Sequence, residues 1–349
     1  MFSCRTTNYD KKAVHGGIGR MWNRTQLTCA FILAGVASML PTSAAPGPLE
    51  TNSTDENAKI HVLHVRGNVY MLVGAGCNIT VQVGEQYVMV VDTGLPQFTD
   101  DVIATVRKLT QLPILFLQNT SSDPDHTGGD EKLYRAGWSL PNPDRVDLVP
   151  RKDPDNTHLT LPPGASILAS LKAMNRIDLP TGVKNDAVTY GPEGLKLYND
   201  EPVVFYHMGK AHTDGDSMVF FRVSDVVSAG DIFTTTSYPV IEADNGGSVD
   251  GFIDALNDLV EILVPKYGEE GGTYVIPGHG HLSDRADVVN YRDMVTIIRG
   301  RIQKMIKNGT TLDQVKAAKP TLDYDGIYGT KSGEKFIEAV YRELTKQKN

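Results

Sequence analysis

Cysteine is scarce in this chain. Its 349 residues include three cysteines, and two of them, Cys4 and Cys29, lie within the first 44 residues. If that segment is removed, Cys77 alone remains and cannot form an internal disulfide. We therefore expect Cys77 to be buried and inert, and the fold to depend on its core, because 40% of the residues are hydrophobic.

Positive charge is also in the minority. Lysine and arginine total 34 residues against 42 aspartates and glutamates, which gives a formal net charge of −8. An acidic surface repels polyanions, so we expect no nucleic-acid partner.

Long apolar runs are missing apart from "LTCAFILAGVASML" at 27–40. This run is shorter than the roughly 20 residues of a membrane-spanning helix. Basic residues precede it and the small residues of "PTSAAPG" follow it. This order predicts a signal peptide at 1–44, with Met21 as an alternative start, and a secreted or periplasmic protein without membrane contact after cleavage. An uncleaved membrane anchor and a buried helix are the alternatives.

The rest of the chain alternates short apolar runs with turns. Residues 45–58 are polar and predict a flexible leader. Strands are predicted at 68–74, 78–84, 87–94, 113–118, 202–208, 217–223, 226–233 and 273–280. Helices are predicted after Thr99, at 166–177, at 250–264, at 332–346, and along a face of Val289, Met294, Ile297, Ile298, Ile302, Met305 and Ile306.

Carboxylates and imidazoles collect where predicted strands end. They are Asp92, the cluster of Asp123, Asp125 and His126, and then His212, Asp231 and His279. If these ends meet at one edge of a β-sandwich, they form a pocket of metal ligands. Imidazole combined with carboxylate suits zinc, iron or manganese.

Five motifs carry a family resemblance. In chain order, "VVDTG", "NTSSDPDHTGG", "AHTDGDS", "GDIF" and "PGHG" resemble those of the metallo-β-lactamase-fold hydrolases, over about residues 60–285. The resemblance implies an α/β fold, a four-layer αββα sandwich. The catalytic domain would span 59–285, and 286–349 would be a C-terminal helical extension packed on it.

The resemblance also implies two metal sites. The family's second motif reads His-x-His-x-Asp-His, and here Ser121 and Asp123 replace its two leading histidines. The second site is intact, with the expected ligands Asp125, His126, Asp231 and His279. We therefore expect one tightly bound zinc ion rather than two, with iron or manganese as alternatives.

The first site is expected to be empty or weak. It keeps His212 and the bridging Asp231, and Asp123 could add a weak oxygen ligand. Alternatively, His212 makes only hydrogen bonds and Asp123 is a turn carboxylate before Pro124. We expect Ser121 to fill space through hydrogen bonds and Asp92 to brace the ligand loop.

The implied function is a metal-dependent hydrolase. A metal-bound water would attack an ester, thioester, lactone or lactam-like small-molecule substrate, and Asp125 would orient that water as the catalytic residue. The alternative is a degenerate member of the fold that binds a metal or ligand and catalyses nothing. An iron oxygenase is disfavoured, because such members rely on the two missing histidines. The oligomeric state stays open.

Overall fold

A computed structural model describes residues 60–139, 162–179, 183, 193–266 and 271–346. The predicted signal peptide and leader lie outside the described residues, as does much of the segment between 140 and 192. Within the described part, every helix is too short or too polar to cross a membrane.

Two sheets form the centre of the described chain. The first runs in the order β1-β2-β3-β4-β5-β6, antiparallel from β1 to β4 and parallel from β4 to β6. Its strands are His61–Arg66, Val69–Val73, Ile79–Val83, Val88–Val91, Ile114–Gln118 and Ser166–Leu168.

The second sheet runs in the order β11-β10-β9-β8-β7. Among the strand pairings described for this sheet, β10 and β11 are parallel and the other pairs are antiparallel. In chain order from β7 to β11, its strands are Glu193–Tyr198, Glu201–Met208, Asp216–Phe221, Val226–Thr234 and Tyr274–His279.

Side chains alternate between the two faces of each sheet, and this builds three packed regions. In β4, Met89 and Val91 face the second sheet, whereas Val88 and Val90 face the opposite way. The core between the sheets includes Met71, Met89, Phe116, Leu168, Phe205, Phe221 and Ile276.

Helices cover the outer face of each sheet. Helices α1 (Thr99–Leu109) and α3 (Asp130–Ala136) pack on the first sheet. Helices α5 (Val249–Ile262), α6 (Arg285–Lys307) and α9 (Thr330–Lys346) share a core with the second. The predicted four-layer αββα sandwich with extra C-terminal helices is confirmed.

The buried face of α6 differs from the predicted one. Ile297 is 42% exposed, and Tyr291 and Val295 take part in the core. Neighbouring residues on a helix point about 100° apart, so Ile297 and Ile298 cannot both face a narrow core. The short helices α7 (Leu312–Ala317) and α8 (Asp325–Tyr328) connect α6 to α9.

The predicted helix at 166–177 is wrong. Residues Ser166–Leu168 form β6, parallel to β5, and only Leu171–Met174 form a helix, α4. Ile167 and Leu168 are buried on opposite faces of the sheet, which a strand allows. The Ser170 hydroxyl accepts a hydrogen bond from the Ala173 backbone N–H and so starts the helix there.

Candidate metal centre

The strand ends of both sheets converge on one site. Asp92 follows β4, the cluster of Asp123, Asp125 and His126 follows β5, and His212 follows β8. Asp231 belongs to β10 and His279 belongs to β11. These side chains line, or lie directly behind, a cavity of about 300 Å³ that Thr234, Thr236 and Tyr238 also line.

His126 lies at the back of the site, fully buried in the short helix α2, Pro124–Thr127. Its Nδ1 is 3.0 Å from Oδ2 of Asp92, and its Nε2 is 3.2 Å from Oδ1 of Asp231. Among the described residues, none gives Nε2 a well-directed hydrogen bond. A buried polar atom without a partner is costly, so this nitrogen is suited to a ligand.

Asp92 fixes the orientation of that imidazole. Oδ1 of Asp92 accepts a hydrogen bond from the Thr120 backbone N–H, and Oδ2 accepts one from the Thr120 hydroxyl, each at 2.7 Å. The carboxylate thereby holds Nδ1 of His126 and leaves Nε2 facing Asp231. Metal-ligating histidines are commonly oriented by such a partner.

His279 and Asp125 form the open side of the site, and each side chain is 32% exposed. Nε2 of His279 is 3.3 Å from Oδ2 of Asp125 and 3.4 Å from Oδ1 of Asp231. Gly278 permits this approach, since a Cβ there would lie 2.7 Å from Oδ1 of Asp231. Glycine in "PGHG" thus lets β11 pass close to the carboxylate.

The charges of these groups are strongly coupled. The hydrogen bond that His279 donates to Asp125 lowers the pKa of the Asp125 carboxyl. The hydrogen bonds of His279 to Asp125 and, next in size, to Asp231 raise the pKa of the His279 imidazole to about 9. Burial alone would raise the pKa of Asp231. Its electrostatic interaction with His126 is the largest of the opposing effects, and together they hold that pKa well below the usual range. A cation is therefore favoured here, whether it is a set of protons or a metal ion.

The donor set fits a divalent metal. Two ligands about 2.1 Å from one ion lie about 3.0 Å apart at an octahedral angle and about 3.4 Å apart at a tetrahedral one. The separations of 3.2, 3.3 and 3.4 Å among Asp125, His126, Asp231 and His279 are in this range.

His212 and Asp123 lie on the other side of Asp231. Nε2 of His212 is 3.0 Å from Oδ2 of Asp123 and 3.9 Å from Oδ2 of Asp231. Ser121 is buried, and its hydroxyl accepts a hydrogen bond from the Asp123 backbone N–H at 3.3 Å. Ser121 thus supports the loop.

Two acidic residues near the site were missed in the sequence. A carboxylate oxygen of Glu242 lies within 4.8 Å of a donor atom of Asp123 and of His212. Asp130 is buried behind Asp92. Asp130 accepts hydrogen bonds from Thr93 and Asn119. Glu242 belongs to none of the five motifs, so no local pattern marked it.

Other candidate residues lie outside the ligand set. The His207 ring contacts the Asp214 carbonyl oxygen at 2.9 Å, and the exposed His281 ring contacts that of Leu282 at 3.1 Å. Cys77 is buried beside Asp92 and His126, and burial raises the pKa of its thiol far above the usual range.

The comparison with known sequences identifies the family. A profile of the metallo-beta-lactamase superfamily matches residues 72–279, which is more than half of the chain. This chain belongs to the metallo-beta-lactamase superfamily. No curated protein matches it significantly in sequence.

Solved structures share the fold. The stereoselective inverting sec-alkylsulfatase Pisa1 from Pseudomonas sp. is 15% identical with a TM-score of 0.55. That match covers 81% of this chain and 50% of Pisa1, so this chain spans half the length of that relative. A metallo-beta-lactamase from Pontibacter korlensis is 12% identical with a TM-score of 0.50, over 68% of this chain and 99% of the other.

Proposed function

We propose that this chain is a metal-dependent hydrolase acting on a small molecule with an ester, thioester, lactone or lactam-like bond. The observation that supports this is the convergence of Asp125, His126, Asp231 and His279 beside an open cavity. Two imidazoles and two carboxylates form a ligand set for one tight zinc ion, and iron or manganese also suits them.

The chain's own residues then have separate tasks. A bound divalent ion would polarise the scissile bond and lower the pKa of water. Asp125 faces the cavity beside His279, so its carboxylate can orient the attacking water. Asp92 keeps the His126 ring in place.

A non-catalytic role is the second candidate. It is favoured by Ser121 and Asp123, which stand where the resemblance implies histidines, and by the contact between Asp123 and His212. In that case, the protein would bind a metal or a small ligand without turnover.

Metal content and turnover separate these candidates. We expect purified protein to hold one tight transition-metal ion by elemental analysis. It should hydrolyse at least one member of a panel of esters, thioesters, lactones, β-lactams and secondary alkyl sulfates, the last chosen because Pisa1 is a sec-alkylsulfatase. A chelator should abolish this activity.

Two histidines provide a matched pair of variants. Loss of a side chain that only hydrogen-bonds to a metal ligand typically lowers metal affinity about 10–100-fold. His279→Ala removes a proposed ligand itself and should lower the affinity by more than this. His281→Ala, two residues away and exposed, should retain metal and turnover. Full metal loading without turnover on any panel member would favour the non-catalytic role, and metal retention by His279→Ala would contradict the ligand set.

A further inference from the structure

One wall of the cavity is formed by an irregular segment that follows β10. This wall segment, residues 236–240, contributes Thr236, Ser237, Tyr238 and Val240 to the lining of the cavity. Outside regular secondary structure, backbone groups must find partners elsewhere in the protein if a segment is to keep one conformation. The contacts of the wall segment therefore decide the shape of the cavity.

The C-terminal helices provide two of these contacts. The hydroxyl of Tyr238 is 3.0 Å from both the Thr321 carbonyl oxygen and Oδ1 of Asp325, which share its one hydrogen. The hydroxyl of Tyr291, in α6, donates a hydrogen bond to the Ser237 carbonyl oxygen at 3.1 Å. Both tyrosines are buried, so water cannot readily replace a hydrogen bond that is lost here.

Aromatic rings fix the Tyr238 side chain from the same direction. It stacks on Phe336 of α9 with the ring centroids 6.1 Å apart, and it lies tilted against Tyr328 of α8 at 5.4 Å. Gly333 lets α9 come this close, since a Cβ there would lie 3.0 Å from Cε2 of Tyr238. The position of this ring is therefore set by α8 and α9.

The other end of the wall segment contacts His212. The Val240 carbonyl oxygen, which can only accept, is 2.9 Å from Nδ1 of His212, so Nδ1 carries the hydrogen. Pro239 lies between Tyr238 and Val240, and its ring fixes its own φ and restricts the backbone of Tyr238. A displacement of Tyr238 is therefore passed to the carbonyl group that orients the imidazole.

We propose that Tyr238 is a positioning residue, through which the C-terminal helices fix the cavity wall and the orientation of the His212 ring. Its support comes from residues beyond 279, outside the part of the chain that matches the superfamily profile. The helical extension thus serves the site in addition to covering the second sheet. The inference rests on the proposed function, because the wall segment and His212 border the cavity in which a substrate would bind.

The exchange of the His212 Nδ1 hydrogen with water tests this role. His212 is 2% exposed, so this hydrogen exchanges when the wall segment opens. Nuclear magnetic resonance of the isotope-labelled, metal-loaded full chain follows the side-chain N–H signal, and a His212→Gln variant assigns it. Tyr238→Phe keeps the ring and removes the hydroxyl, and it should speed the exchange by about tenfold or more, the effect of one lost buried hydrogen bond.

Tyr341→Phe is the matched control. Tyr341 lies in α9, and its hydroxyl donates to the Thr310 carbonyl oxygen at 3.2 Å, so this variant loses a bond of the same kind away from the wall segment. Its His212 signal should exchange at the wild-type rate. Tyr291→Phe releases the Ser237 carbonyl and gives a second test if Tyr238→Phe does not fold, and it should also speed the exchange.

Two outcomes would overturn the role of Tyr238. One is a wild-type exchange rate in Tyr238→Phe, or in Tyr291→Phe where the first variant does not fold. The other is an equal acceleration in Tyr341→Phe, which would reflect a general loosening of the helices. On any substrate that the panel identifies, Tyr238→Phe should lower kcat/KM with its metal content unchanged, whereas Tyr341→Phe should match the wild type. The exchange measurement needs no turnover, so its result is distinguishable from failure of the proposed hydrolase.

Discussion

Asp92 combines an unfavourable backbone with a favourable side chain. Its φ of +63° is in the left-handed region, which costs a non-glycine residue on the order of 1 kcal/mol or more. The same conformation turns the carboxylate towards Thr120 and His126. The hydrogen bonds to Thr120 and the contact with the His126 ring offset this strain. Glycine is the residue that such a φ favours, but it has no carboxylate and could not replace Asp92.

Asp130 gives a prediction about pH and stability. Burial raises the pKa of its carboxyl to about 7, despite hydrogen bonds from Thr93 and Asn119. The unfolded carboxyl titrates near 4, so between pH 4 and 7 the unfolded state binds fewer protons than the folded state. The contribution of Asp130 to stability therefore falls as pH rises, by about 1.4 kcal/mol per pH unit.

Asp130→Asn removes this titration. Relative to the variant, the wild type should lose about 2 to 3 kcal/mol of unfolding free energy between pH 5 and pH 7. Urea unfolding at both pH values, with chelator present, measures the difference and cancels groups common to both proteins. Glu131→Gln, on the exposed side of α3, should follow the wild type. A constant difference between wild type and Asp130→Asn would show that Asp130 ionises normally.

At the scale of elements, local pattern predicted most strands but failed at β6. Three buried residues, Ser166–Leu168, are too few to show a period of two, and the apolar positions that follow suggested a longer helix. Tertiary pairing with β5 decided the outcome. The edge strands β1 and β7 were missed as well, since their residues are more polar and more exposed than those of the central strands.

Helix α9 stabilises the start of α5 through one carboxylate. Oε2 of Glu343 accepts a hydrogen bond from the Val249 N–H at 2.6 Å, and Oε1 accepts one from the Asp250 N–H at 3.2 Å. These N–H groups have no partners within their own helix. The negative charge also suits the positive end of the helix dipole.

Glu343→Ala should therefore lower the unfolding free energy by about 1.5 to 3 kcal/mol, the range for hydrogen bonds to a charged group. Urea unfolding at neutral pH measures this change. Glu334→Ala, an exposed glutamate in the same helix, is the control and should change stability by less than about 0.5 kcal/mol. Equal effects from both substitutions would mean that Glu343 acts only through helix propensity.

For the whole molecule, motif order predicted which strand ends meet, and the structure brings Asp125, His126, Asp231 and His279 together. That they hold a metal ion stays a prediction. Glu242 could not be found in the same way, because its position depends on a backbone contact with His212 formed only in the folded chain. Sequence patterns identify residues at strand ends, whereas a residue that an irregular segment brings to the site is found only from the fold.

Export is the prediction for the whole chain that depends on sequence alone. The basic start, the apolar run at 27–40 and the small residues Ser43, Ala44 and Ala45 motivate it. N-terminal sequencing of protein secreted by a suitable host should find a mature terminus near Ala45. A chain that still begins at Met1 or Met21 would exclude cleavage.

The metal centre should also contribute to the stability of the whole sandwich. Asp125 and His126 follow a strand of the first sheet, whereas Asp231 and His279 belong to the second. An ion held by all four residues joins the two sheets and binds only the folded state. At a free ion concentration about 1,000 times Kd, this adds about 4 kcal/mol to the unfolding free energy.

Thermal unfolding measures this linkage. Each kcal/mol shifts Tm by about 1.5 °C in a folded chain of about 300 residues, so a chelator should lower Tm by about 6 °C. His279→Ala should melt close to the chelated wild type and respond little to added zinc, whereas His281→Ala should respond fully. If the wild type, with its ion verified by elemental analysis, melts at the same temperature with and without chelator, the ion is bound equally well by the unfolded chain. The two sheets would then be held together by their apolar core without help from the metal centre.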